Sequence, residues 1–430
     1  MNLYKSLIFI LYLGIFLGSG FRTPAQSRDS ITLYGTLDTV QVIRQRIQHA
    51  NEANAGARVT HISPAILQAN KTRSLAELLT DHTSIYIKSL GTGALSTASF
   101  RGTSASQTRV NWNGINISPP LSGTFDFSQI PVFFTDNINL YYGSSHVKNG
   151  TGAIGGSVNL FTDTDWNRGV NGRVLAEYGS YNTYTVGGQV NISGNKSASK
   201  TRLYYQHSDN DYTYLNKVLT NTPFREKRQD AAYSQFGIMQ EGYFRVSPYT
   251  RLTAVAWYQK NYRNLPQPLG VVNRSQEDQE ENNFRGYAGL DFSRGIHELH
   301  VKAAWLYFCQ TYDIRYDGGL FDPKGNKNRS NTAQVVADYT YSPTDKLNTT
   351  LTYSHDLIRV SSYIDIDSSK YTLDGIDFDI PQVESPFSHH RNILSWQTSA
   401  LWTPIRWMMI NGQYMFEHND NRNVSTWSAG

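Results

Sequence analysis

From about residue 169 onward, apolar and polar side chains alternate with a period of two. In 185–193, Val186, Gly188, Val190 and Ile192 fall on one face and Gln189, Asn191 and Ser193 on the other. Ala333, Val335, Ala337, Tyr339 and Tyr341 oppose Thr332, Gln334, Asp338 and Thr340, and Leu347, Thr349, Leu351 and Tyr353 oppose Asn348, Thr350, Thr352 and Ser354. Successive side chains of a strand point to opposite faces, so this is strand patterning. Runs of about ten residues suit tilted strands crossing a bilayer, and a β-sandwich would use strands roughly half as long. Tight turns are expected near Ser247-Pro248, Arg294-Gly295, Ser342-Pro343 and Thr403-Pro404, with long polar loops at 211–232, 263–282, 315–330 and 364–387. Short and long connections alternate, as they do in outer-membrane barrels. The count is about eleven strands, the last at 405–416.

Before residue 169 the segments are shorter and mixed. Ser63-Pro64 predicts a short helix and Ser74-Leu75-Ala76-Glu77 has capping-box spacing for a second, ending near Leu79. Short strands are expected at 85–88, 98–101, 108–112, 137–141 and 157–161, between Gly- and Ser-rich turns. This describes a small α/β domain over 58–163, followed by the strand-rich region 169–430. The chain opens with Lys5, an apolar run at 7–17 and Thr23-Pro24-Ala25 before Gln26, the plan of a cleavable signal peptide over 1–25. A polar tail, 26–57, follows, with one β-prone island at Asp38-Thr39-Val40-Gln41-Val42.

Composition agrees with strands in lipid. Only 17% of the 430 residues are charged while 28 are tyrosine, which suits walls that meet lipid on one face and carry aromatic girdles. The net charge of +4 is too small to argue for a nucleic-acid partner. Cys309 is the single cysteine, so no internal disulfide forms, and it reads as a strand side chain.

Glycines cluster at 143, 150, 152, 155 and 156. Gly150-Thr151-Gly152-Ala153-Ile154-Gly155 has the G-x-G-x-x-G spacing of a dinucleotide site. That site must open a helix, whereas Ser157-Val158-Asn159-Leu160-Phe161 continues as a strand, so nucleotide binding is rejected. Catalysis finds no motif either. His389 and His390 are adjacent and point to opposite faces of a strand.

Taken with Ser99-Phe100-Arg101-Gly102 and Val110-Asn111-Trp112-Asn113-Gly114-Ile115, the glycine cluster resembles the plug domain of TonB-dependent outer-membrane transporters. The resemblance implies a plug inside an antiparallel barrel of 22 strands, in the Gram-negative outer membrane. Its motif residues would be Arg101, Gly102, Trp112, Asn113, Gly114, Gly152, Gly155 and Gly156, and the glycine-rich segment would be the hinge joining plug to barrel. A mobile plug is expected to make many polar contacts and few apolar ones. The island Asp38, Thr39, Val40, Gln41, Val42 lies where the family keeps its TonB box. Partners implied are the TonB energy-coupling protein, outer-membrane lipid, a transported small molecule and a surface lipoprotein.

The Trp-Asn-Gly form, followed by Pro119-Pro120-Leu121-Ser122-Gly123, resembles a Bacteroidetes-type subgroup of cobalamin transporters. Active uptake of a cobalamin or corrinoid is therefore the expected activity. Ferric-siderophore or glycan uptake, or a passive pore, stand as alternatives. Ligand contacts are expected from Thr92, Gly93, Pro119, Pro120, Leu121 and Ser122, with Tyr212, Tyr214 and Trp257. No cofactor is called for. Asp365 and Asp367, with Asp374, Asp377 and Asp379, offer hard oxygen ligands for Ca²⁺, though a solvated acidic loop explains them as well. About eleven strands and no terminal aromatic residue lead to the expectation that the chain is a fragment.

Overall fold

The computed structural model describes residues 58–143, 152–218, 223–267, 269, 275–316, 323–366, 371–373, 376–378, 387–405, 408–420 and 422–429. The signal segment, the Asp38–Val42 island, Gly150, Asp367, Asp374 and Asp379 lie outside them. Every described residue belongs to one compact unit, within His49–Gly430.

The small domain is built on β1 (Arg58–His61), β2 (Tyr86–Ser89), β3 (Ser96–Ser99), β4 (Thr108–Trp112), β5 (Ile115–Asn116), β6 (Asn137–Tyr142) and β7 (Gly156–Phe161). One sheet runs β1-β6-β7-β4-β5, with β7 central, antiparallel to β6 and parallel to β4; β2 and β3 pair separately. A helix at Pro64–Ala69 starts on Ser63, whose Oγ accepts from the Ile66 N–H at 3.3 Å. The next, Leu75–His82, carries the expected capping box between Ser74 and Glu77 and runs past Leu79. Its Leu75, Leu78 and Leu79 are fully buried and join Val110, Leu140, Val158 and Leu160 in the core. Each such side chain contributes roughly 1.5–3 kcal/mol.

Two expectations change here. The strand set at 98–101 lies two residues earlier, because Arg101 and Gly102 take φ of 50° and 80° and turn the chain out of the sheet. Gly155 and Gly156 of the glycine cluster are not a hinge. Gly156 begins the central strand, and a Cβ there would lie 2.5 Å from the Tyr141 carbonyl and 2.8 Å from the Phe100 ring. Glycine is needed for close packing, and the connection to the larger sheet is 162–168.

The larger sheet contains β8 (Gly169–Gly179), β9 (Thr183–Ser193), β10 (Ser197–Ser208), β13 (Tyr233–Ser247), β14 (Thr250–Asn264), β15 (Ser275–Arg294), β16 (His297–Tyr316), β17 (Pro323–Thr344), β18 (Leu347–Ile366), β21 (Phe387–Ile405), β22 (Met408–Asn419) and β23 (Arg422–Ala429). Short hairpins β11 (Thr213–Asn216) with β12 (Phe224–Lys227), and β19 (Tyr371–Leu373) with β20 (Ile376–Phe378), stand between them. Asp365 falls near the end of β18 and Asp377 within β20. All twelve long strands are antiparallel neighbours in chain order, and β8 and β23 form the two edges without pairing to each other. The expected strands are present, with β23 beyond them.

Strand boundaries differ from expectation in an orderly way. The β17–β18 turn lies past Ser342-Pro343, and Pro404 lies inside β21. Registers shift between Tyr341 and Thr344, between Trp402 and Ile405, and between Arg245 and Ser247 beside Pro248. Proline has no N–H for the ladder, so it settles at such irregularities. The supposed loops 263–282 and 315–330 are strand over half or more of their length, with Asn264 still opposite Asp278 and Gln310 opposite Asn328.

Candidate functional site at the buried interface

The wall meets the small domain through its inward-facing residues. On β9, Thr185 and Ser193 are buried while Val186, Val190 and Ile192 on the opposite face are half exposed. The same alternation buries Lys200, Arg202 and Tyr204 on β10. These three converge on one edge of the small domain. Asp136, just before β6, accepts from Lys200 Nζ at 3.0 Å and from Arg202 Nη2. Arg202 Nη1 donates to the Phe133 carbonyl at 3.1 Å and Nη2 also faces Glu241 at 3.3 Å. Lys200 reaches the Asp163 carbonyl, and the Asp163 N–H donates to Asp136 at 3.0 Å. Tyr204 donates to the Thr72 carbonyl at 3.1 Å. One carboxylate thus joins the plug-like core, the connecting segment and the wall.

Burial alone would raise the Asp136 pKa; Arg202, Lys200 and Lys71, with the Asp163 N–H, override it and hold the carboxyl well below the usual range. Lys71 shows the opposite balance. Desolvation lowers it to about 8 against the pull of Asp136. Its Nζ donates to the carbonyls of Val132 and Thr135 at 3.3 and 2.5 Å.

A second polar patch lies over residues 126–129. Arg263 Nη1 donates to Asp126 at 2.7 Å, and Asp126 also caps Ser128 and receives the Ser96 N–H, each at 3.0 Å. Gln235 Nε2 donates to the Ser128 carbonyl at 2.9 Å, and Asn261 Nδ2 to Gln129 Oε1 at 2.9 Å. A third patch involves β4 and β5. The Asn116 N–H donates to Gln334 at 3.1 Å, and Gln334 donates onward to Asp356 at 2.7 Å. Burial lowers the pKa of Arg109, against the attraction of Asp356 and Glu417.

Between these patches the contact is aromatic, which corrects two expectations. Trp257 packs edge-on to Trp112 and against Phe134, with Arg285 stacked 4.4 Å from its ring. It is 1% exposed, so Trp257 anchors the interface and is not a surface for ligand. With Tyr204 and Met239 in the same cluster, the interface is also far from poor in apolar contacts.

The other motif residues separate by role. Asn113 exchanges side-chain bonds with Thr162 at 2.9 and 3.0 Å, and its carbonyl accepts from Lys302 of the wall. The Trp112-Asn113-Gly114 turn therefore clamps the connecting segment. Arg101 and Gly102 are exposed, Gly152 is exposed, and Gly155 is tied by its N–H to the Gln107 carbonyl at 3.0 Å. Of the expected ligand contacts, Thr92 and Gly93 dock on the wall. Asn210 Nδ2 donates to the Thr92 carbonyl at 3.0 Å, and Gly93, at φ 70°, faces the Tyr233 ring so closely that a Cβ would lie 2.2 Å from it. Tyr212, Tyr214 and Tyr181 form an aromatic group beside them, and Tyr214 donates to Glu226 at 3.0 Å. Pro119, Pro120, Leu121 and Ser122 form a separate turn closed by the Gly123 N–H on the Pro119 carbonyl at 3.1 Å. Among the described residues no group of three or more His, Cys, Asp or Glu is placed to hold a metal ion.

Residues 51–157 match the family model of the TonB-dependent receptor plug domain. That quarter of the chain is similar to the plug of TonB-dependent receptors. Sequence relatives include the vitamin B12 transporter BtuB of Photobacterium profundum, 32% identical over 137 residues, which are 32% of this chain and 22% of that protein. A BtuB of Vibrio cholerae is 32% identical over 126 residues, covering 29% and 20%. Among solved structures, the siderophore receptor PirA of Acinetobacter baumannii matches 86% of this chain and 58% of its own, with a TM-score of 0.63 and 13% identity. The ferripyoverdine receptor of Pseudomonas aeruginosa gives 0.61 and 12%, over 86% and 53%. These structures share the fold. The matched segments span about a fifth of the BtuB relatives and a little over half of the solved receptors. These relatives are receptors and transporters of the Gram-negative outer membrane, and the alternating strands beside a plug domain have the plan of their barrels.

Proposed function

We propose that the receptor imports a scarce, bulky small molecule across the outer membrane, with a cobalamin or corrinoid as the first candidate. The observation that carries this reading is a plug seated in the wall through a few polar patches centred on Asp136, Asp126 and Asn116 and one aromatic contact between them. Neutral ties such as that of Asn116 exchange for water at modest net cost, about 0.5–1.5 kcal/mol each, while the buried ion pairs of Asp136 and Asp126 hold more firmly. A plug held in this way can be moved by an outside force and can return.

The corrinoid assignment is supported by the two BtuB relatives, described as vitamin B12 transporters, and by the Trp112-Asn113-Gly114 motif. Ligand would arrive over Thr92 and Gly93, Pro119–Ser122 and the Tyr212–Tyr214 aromatic group. Energy would come through the TonB protein, which would pair with Asp38, Thr39, Val40, Gln41 and Val42 by adding that segment as a strand to a sheet edge. A proline at Val40 or Val42 removes a main-chain donor. Such a variant should lose uptake of cobalamin and still bind it. Unchanged uptake would overturn the coupling, and equal uptake with and without a proton gradient would favour a passive pore. The domain plan follows: signal peptide 1–25, tail 26–57, plug 58–163 and barrel strands from 169. Siderophore uptake is the second reading, since the fold is shared with PirA and the ferripyoverdine receptor.

A further inference from the structure

The inward face of the wall carries a row of amide, carboxylate and hydroxyl side chains across β13 to β18 at one register. Gln235 is opposite Asn261, Asn261 opposite Glu281, Glu281 opposite Gln310, Gln310 opposite Asn328 and Asn328 opposite Ser362. The row has two halves. Gln235 donates to the Ser128 carbonyl, Asn261 donates to Gln129, and Glu281 is bonded to the same Gln129, so the first half holds the plug. In the second half the side chains bond one another. Ser362 Oγ donates to Asn328 Oδ1 at 2.7 Å, Asn328 Nδ2 to Gln310 Oε1 at 3.4 Å and Gln310 Nε2 to Glu281 Oε1 at 2.9 Å. Every donor there points toward the Glu281 carboxylate. Each amide nitrogen carries a second hydrogen, and the Ser362 oxygen has lone pairs to accept with.

Among the described residues, the plug's hydrogen bonds to β16 and β17 fall on Lys302 and Gln334. Asn328 lies six residues beyond Gln334, away from the short turn and about 20 Å along the strand. Barrels of this kind have short periplasmic turns and longer extracellular loops, so this flank faces the outer end of the lumen. Among its described inward residues, β16 to β18 carry no cation at or beyond the row. Glu277 stands beyond Glu281 on the same parity of β15 and accepts from Tyr312 at 2.5 Å. Asp278 and Asp313 face each other on the opposite parity. The inward cation of β14, Arg263, is taken by Asp126 at 2.7 Å. His389 and Arg391, on the parity of Ser395, stand lower on β21, opposite Val360 and Ile358.

We propose that Gln310, Asn328 and Ser362 form the specificity element of the ligand site, taking ligands with a neutral rim rich in amides or hydroxyls and turning away polyanionic iron chelates. The proposal rests on the reading of the chain as an importer and extends its ligand contacts from the plug loops onto the wall. An amide or hydroxyl both donates and accepts, so it can answer the amide hydrogens and the Ser362 oxygen in turn. A polyanionic chelate presents mainly acceptors and would meet Glu277 and Glu281 as like charges. Corrinoids and oligosaccharides share the neutral chemistry.

The test measures equilibrium binding to the folded full chain in detergent micelles by calorimetry. The probes are cyanocobalamin, whose rim carries amides, maltoheptaose, a neutral hydroxyl-rich chain, and a ferric tricatecholate trianion. One neutral probe should bind about tenfold or more tighter than the trianion, as like-charge contacts are costly. Which of the two does so assigns the amide or the hydroxyl source. Asn328→Ala and Ser362→Ala should each weaken that probe about fivefold, the scale of one net hydrogen bond. Asn328→Asp keeps the shape and loses the donors, so it should weaken that probe as much and the trianion further. Lys327→Gln, on the opposite parity of β17, should leave binding unchanged, and heat-modifiable mobility on gels reports the folding of each variant. Tightest binding of the trianion, no binding of either neutral probe, or wild-type binding by the Asn328→Ala, Ser362→Ala double variant would overturn the proposal and leave import standing. The expected binding pattern with equal uptake in the presence and absence of a proton gradient would support the proposal and overturn the import reading alone.

Discussion

Trp112 of the plug and Trp257 of the wall meet edge to face, with ring centroids 5.4 Å apart and planes at 60°. Both are 1% exposed, so neither contact can be replaced by water without opening the interface. Trp257→Ala should cost roughly 3–5 kcal/mol of docking stability, the usual cost of deleting a buried tryptophan. Urea unfolding followed by the remaining tryptophan fluorescence measures it. Ligand affinity lost with no change in plug stability would instead restore Trp257 as a ligand contact.

Asp136 holds two wall cations, so removing its charge leaves Lys200 and Arg202 buried with less compensation. Breaking a buried pair in this way costs about 3–5 kcal/mol. Asp136→Asn should therefore loosen the plug, and ion conductance through the protein in planar bilayers should rise. The double variant Asp136→Asn with Arg202→Gln should cost less than the sum of the single changes. Strict additivity in that cycle would show the two groups to be uncoupled.

The plug's stability should depend on pH through two groups of opposite sign. Asp136 is depressed in the folded state, so its contribution is full above the unfolded value of about 3.9 and falls away as pH drops below it. Lys71 is lowered to about 8, so the unfolded chain holds more protons than the folded one between about 8 and its unfolded value of about 10.4. Stability should rise with pH across that alkaline window. Lys71→Met should flatten the alkaline slope and Asp136→Asn the acid one, both read from denaturant midpoints across pH.

Gly93 tests whether the 89–95 loop depends on its seat. A Cβ would lie 2.2 Å from the Tyr233 ring, and φ of 70° is strained for any other residue. Gly93→Ala should destabilise by about 1–3 kcal/mol, as overpacking does. Adding Tyr233→Ala should recover the steric share and leave the backbone share. Thermal melting of the single and double variants separates the two.

Alternation in 185–193 and 332–341 predicts strands because each wall strand faces two solvents, and the structure has them there. Beyond the apolar belt that contrast ends. Ser275–Asn282 and Asn326–Ser330 therefore look like loops although their backbones continue to pair. Trp257 was misassigned for a related reason: a tryptophan on a wall strand suits a girdle, a ligand or a plug contact equally well. Its parity with buried Val255 and Gln259 was the available signal. Lys200 and Arg202 carried a similar one, two cations on the face that also bears Tyr204. Their partner Asp136 lies more than sixty residues away, and nothing local joins them.

β1 holds the plug sheet through β6 alone, by a four-residue ladder from Arg58↔Tyr142 to His61↔Asn139. It is also the first described strand after the tail that would be pulled. Tension arriving along that tail would therefore meet a short zipper at the periphery before it reached Asp136 or Trp112. The plug would fail in sequence from its rim, opening a passage on one side while its ionic and aromatic seats stayed attached as the template for closing again.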